Sequence, residues 1–339
     1  MPRARKQEIL YQKELKIPSE LIRFATPKNV ALYRARRLKC KRIVEIGAGI
    51  GGQTIAFAKE CGRVLCIEIN SKSLEIAQSS FRKLNIKNVE CILGDALSKE
   101  VIQKIKEFKP EIIFCDTERA EQGERTLSGI KPDIKEILKN YSGITKKIAI
   151  EIPPFTSDLD NLKESFEREF ISLDKKLNRL TLYFNDLKKS DKSCVALPFN
   201  ERIENSKAEN IKQVDSVKGY EYLYEIDAAL VLSGLVNEVL NGKNSVVIDS
   251  GKSKYALSNK KIKTEFLTKY KILKVCENNS GDIIKNLREV DAKKVILKYS
   301  INPEDYWKER KKYEDTLDGQ KEVYLFKIKE EAVIGSKEE

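Results

Sequence analysis

The chain has 339 residues, 41% of them apolar, which at roughly 150 residues per domain is a length for two domains, each able to bury a core. It contains no histidine. Ser-His-Asp and Cys-His nucleophiles, imidazole bases and His-ligated metals are therefore excluded, and proton transfer is left to Asp, Glu, Lys, Tyr or water. Residues 1–42 hold 13 Lys or Arg against three Glu, so +10 of the net +12 charge sits in this one segment. A local basic excess of this kind is suited to phosphate backbones, and the partner expected from it is nucleic acid. No stretch approaches the roughly 18 apolar residues of a membrane span, and no apolar signal core follows the N-terminal charges, so a cytoplasmic protein with no membrane partner is expected. The seven cysteines are scattered without any Cys-x-x-Cys, so no metal site is expected and the thiols read as reduced, buried small hydrophobes.

In chain order, residues 1–40 form a basic helical N-terminal segment, and from residue 41 onward strand and helix alternate. The apolar pattern predicts strands at 42–46, 63–69, 89–93, 111–115 and 147–152, with helices at 51–61, 71–84, 99–107 and 130–140 between them. That cadence predicts a doubly wound, mainly parallel α/β sheet. A helix is predicted at 159–170, followed by an antiparallel hairpin of strands 179–185 and 194–198, which brings the sheet to seven strands. The domain then spans 41–200. Residues 201–217 are polar and read as a linker, and 218–330 as a smaller α/β or α+β domain with a helix at 228–240. The final GSKEE is expected to lack order.

The chemistry concentrates after the first strand. Glu45-Ile-Gly47-Ala-Gly49-Ile-Gly51-Gly52 leaves a strand and opens a helix, where glycines allow a tight turn and backbone amides can approach a nucleotide-like ligand. Gly47, Gly49 and Gly52 satisfy Gly-x-Gly-x-x-Gly, and Glu68 ends the next strand where a ribose acid belongs. The motif alone does not separate a dinucleotide from S-adenosylmethionine. Three features do: the Glu45 carboxylate suits a cationic amino-acid ligand, Gly94-Asp95 closes the third strand, and the sheet ends in a hairpin.

Together these resemble the class I S-adenosylmethionine-dependent methyltransferases. The resemblance implies that Glu45, Gly47, Gly49 and Gly51 face the methionine part of the cofactor, Glu68 with Ile69 the ribose, and Asp95 with Ala96 the adenine, with Asp116 at the same pocket. The whole chain resembles methyltransferases with a C-terminal THUMP-like domain, and the core is also similar to the RNA cap guanine-N2 methyltransferase family. Here ATPKNVALYRARRL (25–38) resembles the family's N-terminal helix, with Thr26 as N-cap and Pro27 at the first helical position. IFCDTERAEQGERT (113–126) resembles its catalytic loop, and GYEYLYEIDAALVLSGLV (219–236) the opening of the THUMP-like domain.

In the catalytic loop Asp116 and Arg119 match, while Thr117 replaces Pro and Ala120 replaces a second Arg. The expected activity is S-adenosylmethionine-dependent methylation of RNA, a base of tRNA or rRNA, with Asp116 orienting the nucleophile or taking its proton and Glu118 as the reserve base. Arg34, Arg36 and Arg37 are expected to meet phosphates. Arg119 and Arg125 read equally as phosphate clamps or solvated loop arginines. Phe155 stacks on a flipped base or simply fills a turn. Tyr220, Tyr222 and Tyr224 form a stacking platform or pack the second domain onto the first. Two rivals stand beside this: an RNA-binding protein that has lost catalysis, and a methyltransferase for a small molecule or a protein.

Overall fold

The strands of the N-terminal half carry apolar, often β-branched residues on both faces, as strands covered by helices on both sides must. A computed structural model describes residues 9, 15, 25–118, 126–251 and 253–338, and the chain divides into two compact units, Met1–Glu204 and Asn205–Glu339. In the first unit β1 (Arg42–Ile46), β2 (Arg63–Glu68), β3 (Val89–Leu93), β4 (Ile112–Asp116) and β5 (Ile148–Ile152) are parallel neighbours in the order β3-β2-β1-β4-β5. Helix α1 (Lys28–Arg37) precedes them, and α2 (Gly52–Glu60), α3 (Ser71–Lys83), α4 (Lys99–Phe108) and α5 (Ile134–Tyr141) connect them. The order reverses between β1 and β4, which is where doubly wound sheets bind ligands at the strands' C-terminal ends.

Four strands extend the sheet: β6 (Phe166–Leu173), β7 (Lys176–Phe184), β8 (Lys192–Leu197) and β9 (Glu201–Glu204), in the order β5-β7-β6-β8-β9. The helix predicted at 159–170 is instead a short 3-10 turn, Leu159–Asn161, followed by β6. Leu159, Leu162, Phe166 and Phe170 imitate helical spacing, but pairing on both sides with β7 and β8 overrides it. The hairpin partner of β7 is accordingly β6, through Asp174 and Lys175, both at positive φ (52° and 62°), a turn carrying no glycine to announce it. Strand β8 runs parallel to β6, so segments 179–185 and 194–198 do not pair with each other. Residues 201–204, read as the start of a linker, form β9 on β8. Helix α1 begins at Lys28 with Pro27 in the capping position, because the Pro27 carbonyl accepts the first helical bond from the Ala31 amide at 2.9 Å. Thr26 makes no cap.

The second unit is α+β. Seven strands, β10 (Tyr222–Ile226), β11 (Ser245–Asp249), β12 (Lys254–Ser258), β13 (Leu267–Glu277), β14 (Ala292–Leu297), β15 (Lys321–Ile328) and β16 (Glu331–Lys337), lie in the order β11-β12-β10-β13-β16-β15-β14. All its neighbours are antiparallel except β14 and β15. The helix predicted at 228–240 is broken by Gly234 at φ 75° into α6 (Ala228–Ser233) and α7 (Val236–Leu240). Helices α8 (Ser280–Glu289) and α9 (Tyr306–Glu314) flank β14 in the chain. Gly335, Ser336 and Lys337, expected to lack order, belong to β16 and pair with β13.

Ile171 on β6 is fully buried with Val30 of α1 and Val195 of β8. Ile171→Ala should cost roughly 2–4 kcal/mol, read as a lower urea midpoint at unchanged m-value, whereas a loss below about 1 kcal/mol would contradict the packing of β6 under α1.

Candidate functional site

The site begins where β1 runs out of sheet. Gly47 adopts φ 78°, and a Cβ there would lie 2.3 Å from the Asp116 carbonyl oxygen, so only glycine lets the loop pass against the end of β4. The amides of Gly47 and Ala48 both donate to the Ile67 carbonyl, at 2.9 and 3.1 Å, and the Gly49 amide donates to Glu68 Oε2 at 2.6 Å. Glu68 also accepts from the Asn70 amide at 2.8 Å, so one carboxylate joins the loop after β1 to the turn after β2. At Gly49 an added Cβ would meet no atom within 4 Å, which leaves open room above the loop.

Glu45 is buried beneath that loop, and its Oε2 accepts from Thr54 Oγ1 of α2 at 2.6 Å. Burial, aided by Asp116 and Glu68 against the opposing effects of Thr54 and Arg34, pushes its carboxyl up to about 8. Along the same rim Ile69 is 66% exposed, and Leu93 is exposed as well. Asp95 is exposed with Oδ1 accepting from the Leu97 amide at 2.8 Å. Ala96 is buried, its carbonyl accepting from the Tyr141 hydroxyl.

A second group of polar side chains lies on the α1 side of the sheet; it takes in Arg34, expected at phosphates, together with Gln53, Glu151 and Arg179, which sequence reading missed. Arg34 is fully buried: it donates to Gln53 Oε1 at 3.0 Å and to Glu151 Oε2, and its guanidinium lies 4.6 Å from the centre of the Phe114 ring. Arg179 Nε stands 2.6 Å from Glu151 Oε1. Glu151 is the register partner of Asp116, which interacts electrostatically with both arginines. Glu45, Glu68, Asp116 and Glu151 thus mark the C-terminal halves of four parallel strands, with two guanidiniums balancing the β4 and β5 pair. The signal available in sequence was Glu151 inside an otherwise apolar strand, since a buried carboxylate requires a cationic partner.

The arginines of α1 correct the expectation of a phosphate-binding face. Arg34 and Arg37, three apart, do share a face, but it is the face turned to the sheet. Arg37 pairs with Glu167 at 2.8 Å and with Glu169, and stacks 3.5 Å from the Tyr183 ring centre. Tyr33 and Arg202 complete that network, donating to Glu169 at 2.7 Å and Glu167 at 2.8 Å. Of the three, only Arg36 faces outward, 63% exposed and 4.0 Å from Glu60.

Arg119, Arg125, Ala120 and nearly all of residues 1–24 lie outside the described residues. Glu118 is exposed, with its backbone bridged to Lys131. Phe155, 53% exposed, sits in the turn after β5. Tyr222 and Tyr224 are buried, the Tyr224 hydroxyl accepting from the Ile262 amide at 2.8 Å, so they pack the second unit and form no stacking platform. Cys115 is fully buried and its thiol is pushed up by burial, out of reach of nucleophilic work. No helix among the described residues is long and apolar enough to cross a membrane.

The model of the RNA cap guanine-N2 methyltransferase family matches residues 40–198. Over 64 residues the chain is 34% identical to a probable cobalt-precorrin-6B C(15)-methyltransferase (decarboxylating) of Methanocaldococcus jannaschii, covering 19% of this chain and 34% of that protein. A protein of the same name from Sulfolobus acidocaldarius is 26% identical over 119 residues, covering 34% and 58%. The chain thus spans between a third and three-fifths of the length of these curated relatives. Among solved structures, a Porphyromonas gingivalis W83 protein designated a methyltransferase has a TM-score of 0.76 at 16% identity, over 97% of this chain and 88% of that one. That likeness is one of fold, and the match over 40–198 implies S-adenosylmethionine as the cofactor of the first unit.

Two predictions follow the buried charges. Arg37→Ala leaves Glu167 and Glu169 short of a partner and should cost about 3–5 kcal/mol of stability, against a change within about 0.5 kcal/mol for Arg36→Ala, both read from denaturant unfolding. Equal, small effects would contradict the inward orientation. Glu45 holds its proton in the fold at pH values where the unfolded chain has lost it. Its contribution to stability is complete below its ordinary value of 4.5, declines as pH rises and is gone above about 8. Wild type should therefore lose stability relative to Glu45→Gln across that window, and parallel pH profiles of the two proteins would refute a raised Glu45.

Proposed function

We propose that the protein is an S-adenosylmethionine-dependent methyltransferase acting on RNA. The observation that carries the reading is the lock between Gly47 and the Asp116 carbonyl, which makes the glycine loop and the candidate catalytic carboxylate parts of one rigid site. The residues fit the cofactor. Glu45 offers a carboxylate near its cationic amino-acid end, and the space above Gly49 admits a ligand close against the loop backbone. Glu68 is fixed by the Gly49 and Asn70 amides with lone pairs left for ribose hydroxyls. Ile69 presents an apolar surface suited to the adenine and ribose, with Asp95 and Ala96 on the next strand end. The cofactor supplies a methyl group on a sulfonium.

This chain's own part is positioning and proton handling. Asp116 stands at the strand end beside that room, with the positive charge of Arg34 and Arg179 behind it, and its carboxylate orients the acceptor or takes its proton. Thr117, where the resembled loop has Pro, donates from Oγ1 to the Glu151 carbonyl at 2.7 Å. That bond restrains the loop by other means than a proline ring, which supports retained catalysis. Glu118, exposed on the same loop, is the reserve base, and the exposed Phe155 would stack on an extruded base. RNA as substrate is supported by the description of the matching family and by the basic N-terminal segment, and the second unit, read as THUMP-like, would help grip it.

A small-molecule acceptor is the second reading. It is favoured by the inward arginines of α1, which take two cations away from any phosphate footprint, and by the names of the curated relatives.

Labelled S-adenosylmethionine with unmodified RNA, digested to nucleosides, tests the proposal. Transfer to a nucleoside is expected, and none in the presence of saturable cofactor binding would sink the RNA substrate. Asp116→Asn should lower kcat by about 100-fold or more with cofactor Kd within a few-fold, and Glu68→Ala should weaken cofactor binding by about 1–3 kcal/mol.

A further inference from the structure

Four of the seven cysteines meet in pairs across neighbouring parallel strands of the first unit. Cys66 of β2 and Cys91 of β3 are direct register partners, with sulfurs 3.1 Å apart. Cys40 and Cys61 stand two residues ahead of the register pair Arg42 and Arg63, where β1 and β2 begin, and interact electrostatically. The Gly62 amide donates to the Cys40 carbonyl at 3.2 Å, continuing the ladder to this level. All four side chains belong to one hydrophobic cluster, Cys61 and Cys66 buried within it and Cys40 and Cys91 packed against its margin. Each pair therefore joins one buried thiol to one partly exposed thiol.

Neighbouring strands lie about 4.8 Å apart, inside the Cα separation of roughly 4.4–6.8 Å that a disulfide spans. The Cys66 and Cys91 sulfurs, 3.1 Å apart, need to approach by only about 1 Å to bond. We propose that Cys66 and Cys91 are a dithiol that a small-molecule disulfide of the glutathione class converts to an intramolecular disulfide, and that Cys40 and Cys61 form a second pair of the same kind. The Cys91 thiolate attacks one sulfur of the oxidant, whose sulfur–sulfur bond breaks and releases one thiolate. Cys66 then gives up its proton, and its sulfur attacks the Cys91 sulfur of the mixed disulfide, expelling the second small thiol. Two protein thiols are oxidised and one small disulfide is reduced to two thiols.

The surroundings assign the order of attack. Cys91 is the partly exposed partner and accepts the hydrogen bond from the buried Cys66. Cys66 is pushed up by the same sulfur contact and by burial, which suits a resolving thiol that reacts only with a neighbour already activated. Among the described residues strand β3 is the sheet edge, held by β2 alone, so the bridge would tie that edge to the sheet two residues before Glu68 and four before Asp95. The rim proposed to hold the cofactor would thereby keep its spacing when the β2 and β3 ladder breathes.

The test equilibrates the full-length protein with oxidised glutathione under native conditions, quenches with acid, alkylates free thiols and maps peptides by mass. Free thiols should fall from seven to three, with the Cys66 peptide joined to the Cys91 peptide and the Cys40 peptide to the Cys61 peptide, and the oxidised protein should melt at a higher temperature than the reduced one. Cys66→Ser should stop at a glutathione adduct on Cys91, and Cys91→Ser should leave Cys66 unmodified. Wild type that keeps all seven thiols, or that accumulates the Cys91 adduct without closing, overturns the proposal. Closure of the first pair with Cys40 and Cys61 both still free removes the second.

Discussion

Two arginines on one helix are buried against carboxylates of the sheet, and the geometry of the first unit depends on that exchange of charge. Arg34 meets Glu151 and Arg37 meets Glu167 and Glu169, so neither helix α1 nor strands β5 and β6 can be placed without the other. Removing charges from water is costly, and the arrangement is supported by further hydrogen bonds from Gln53, Tyr33, Ser193 and Arg202. A helix that reads as a solvated basic surface is in this way a structural strut. Of its three arginines only Arg36 faces outward, with Lys39 and Lys41 exposed just beyond its end.

The same exchange reaches the candidate site. Glu151 takes Arg34 from one side and Arg179 from the other, and its register partner is Asp116. The docking of the N-terminal helix and the electrostatics of the proposed catalytic carboxylate are therefore a single network. Around the switch point the carboxylates are sorted by environment. Glu45 is buried with one hydroxyl donor and favours its proton, whereas Glu68 is occupied by backbone amides as an acceptor. One rim thus combines a buried carboxyl that favours its proton with another whose orientation is fixed by backbone amides.

Much of the doubly wound sheet was readable because its signals are local. A strand leaving directly into Glu45-x-Gly-x-Gly-x-Gly-Gly can turn in few ways, since Gly47, Gly49 and Gly51 all take positive φ, and an acid at the end of β2 is within reach of the loop amides. The failures came where local signals were ambiguous. The spacing of Leu159, Leu162, Phe166 and Phe170 fits a helix face as well as a strand, and the Asp174 and Lys175 turn gives no glycine cue.

By itself the sequence determined the alternation of strand and helix, the glycine loop with its acids, and the absence of imidazole chemistry, because each is fixed by residues adjacent in the chain or by composition alone. Which way the arginines of α1 turn, that Glu151 and Arg179 belong to the site, that β7 lies between β5 and β6, and that Cys66 faces Cys91 were decided only in the tertiary structure. Each of these is a pairing between residues distant in the chain. A charge or a thiol carries no record of its partner in the sequence; the partner is chosen by strand register and by the need of buried ions for opposite charge.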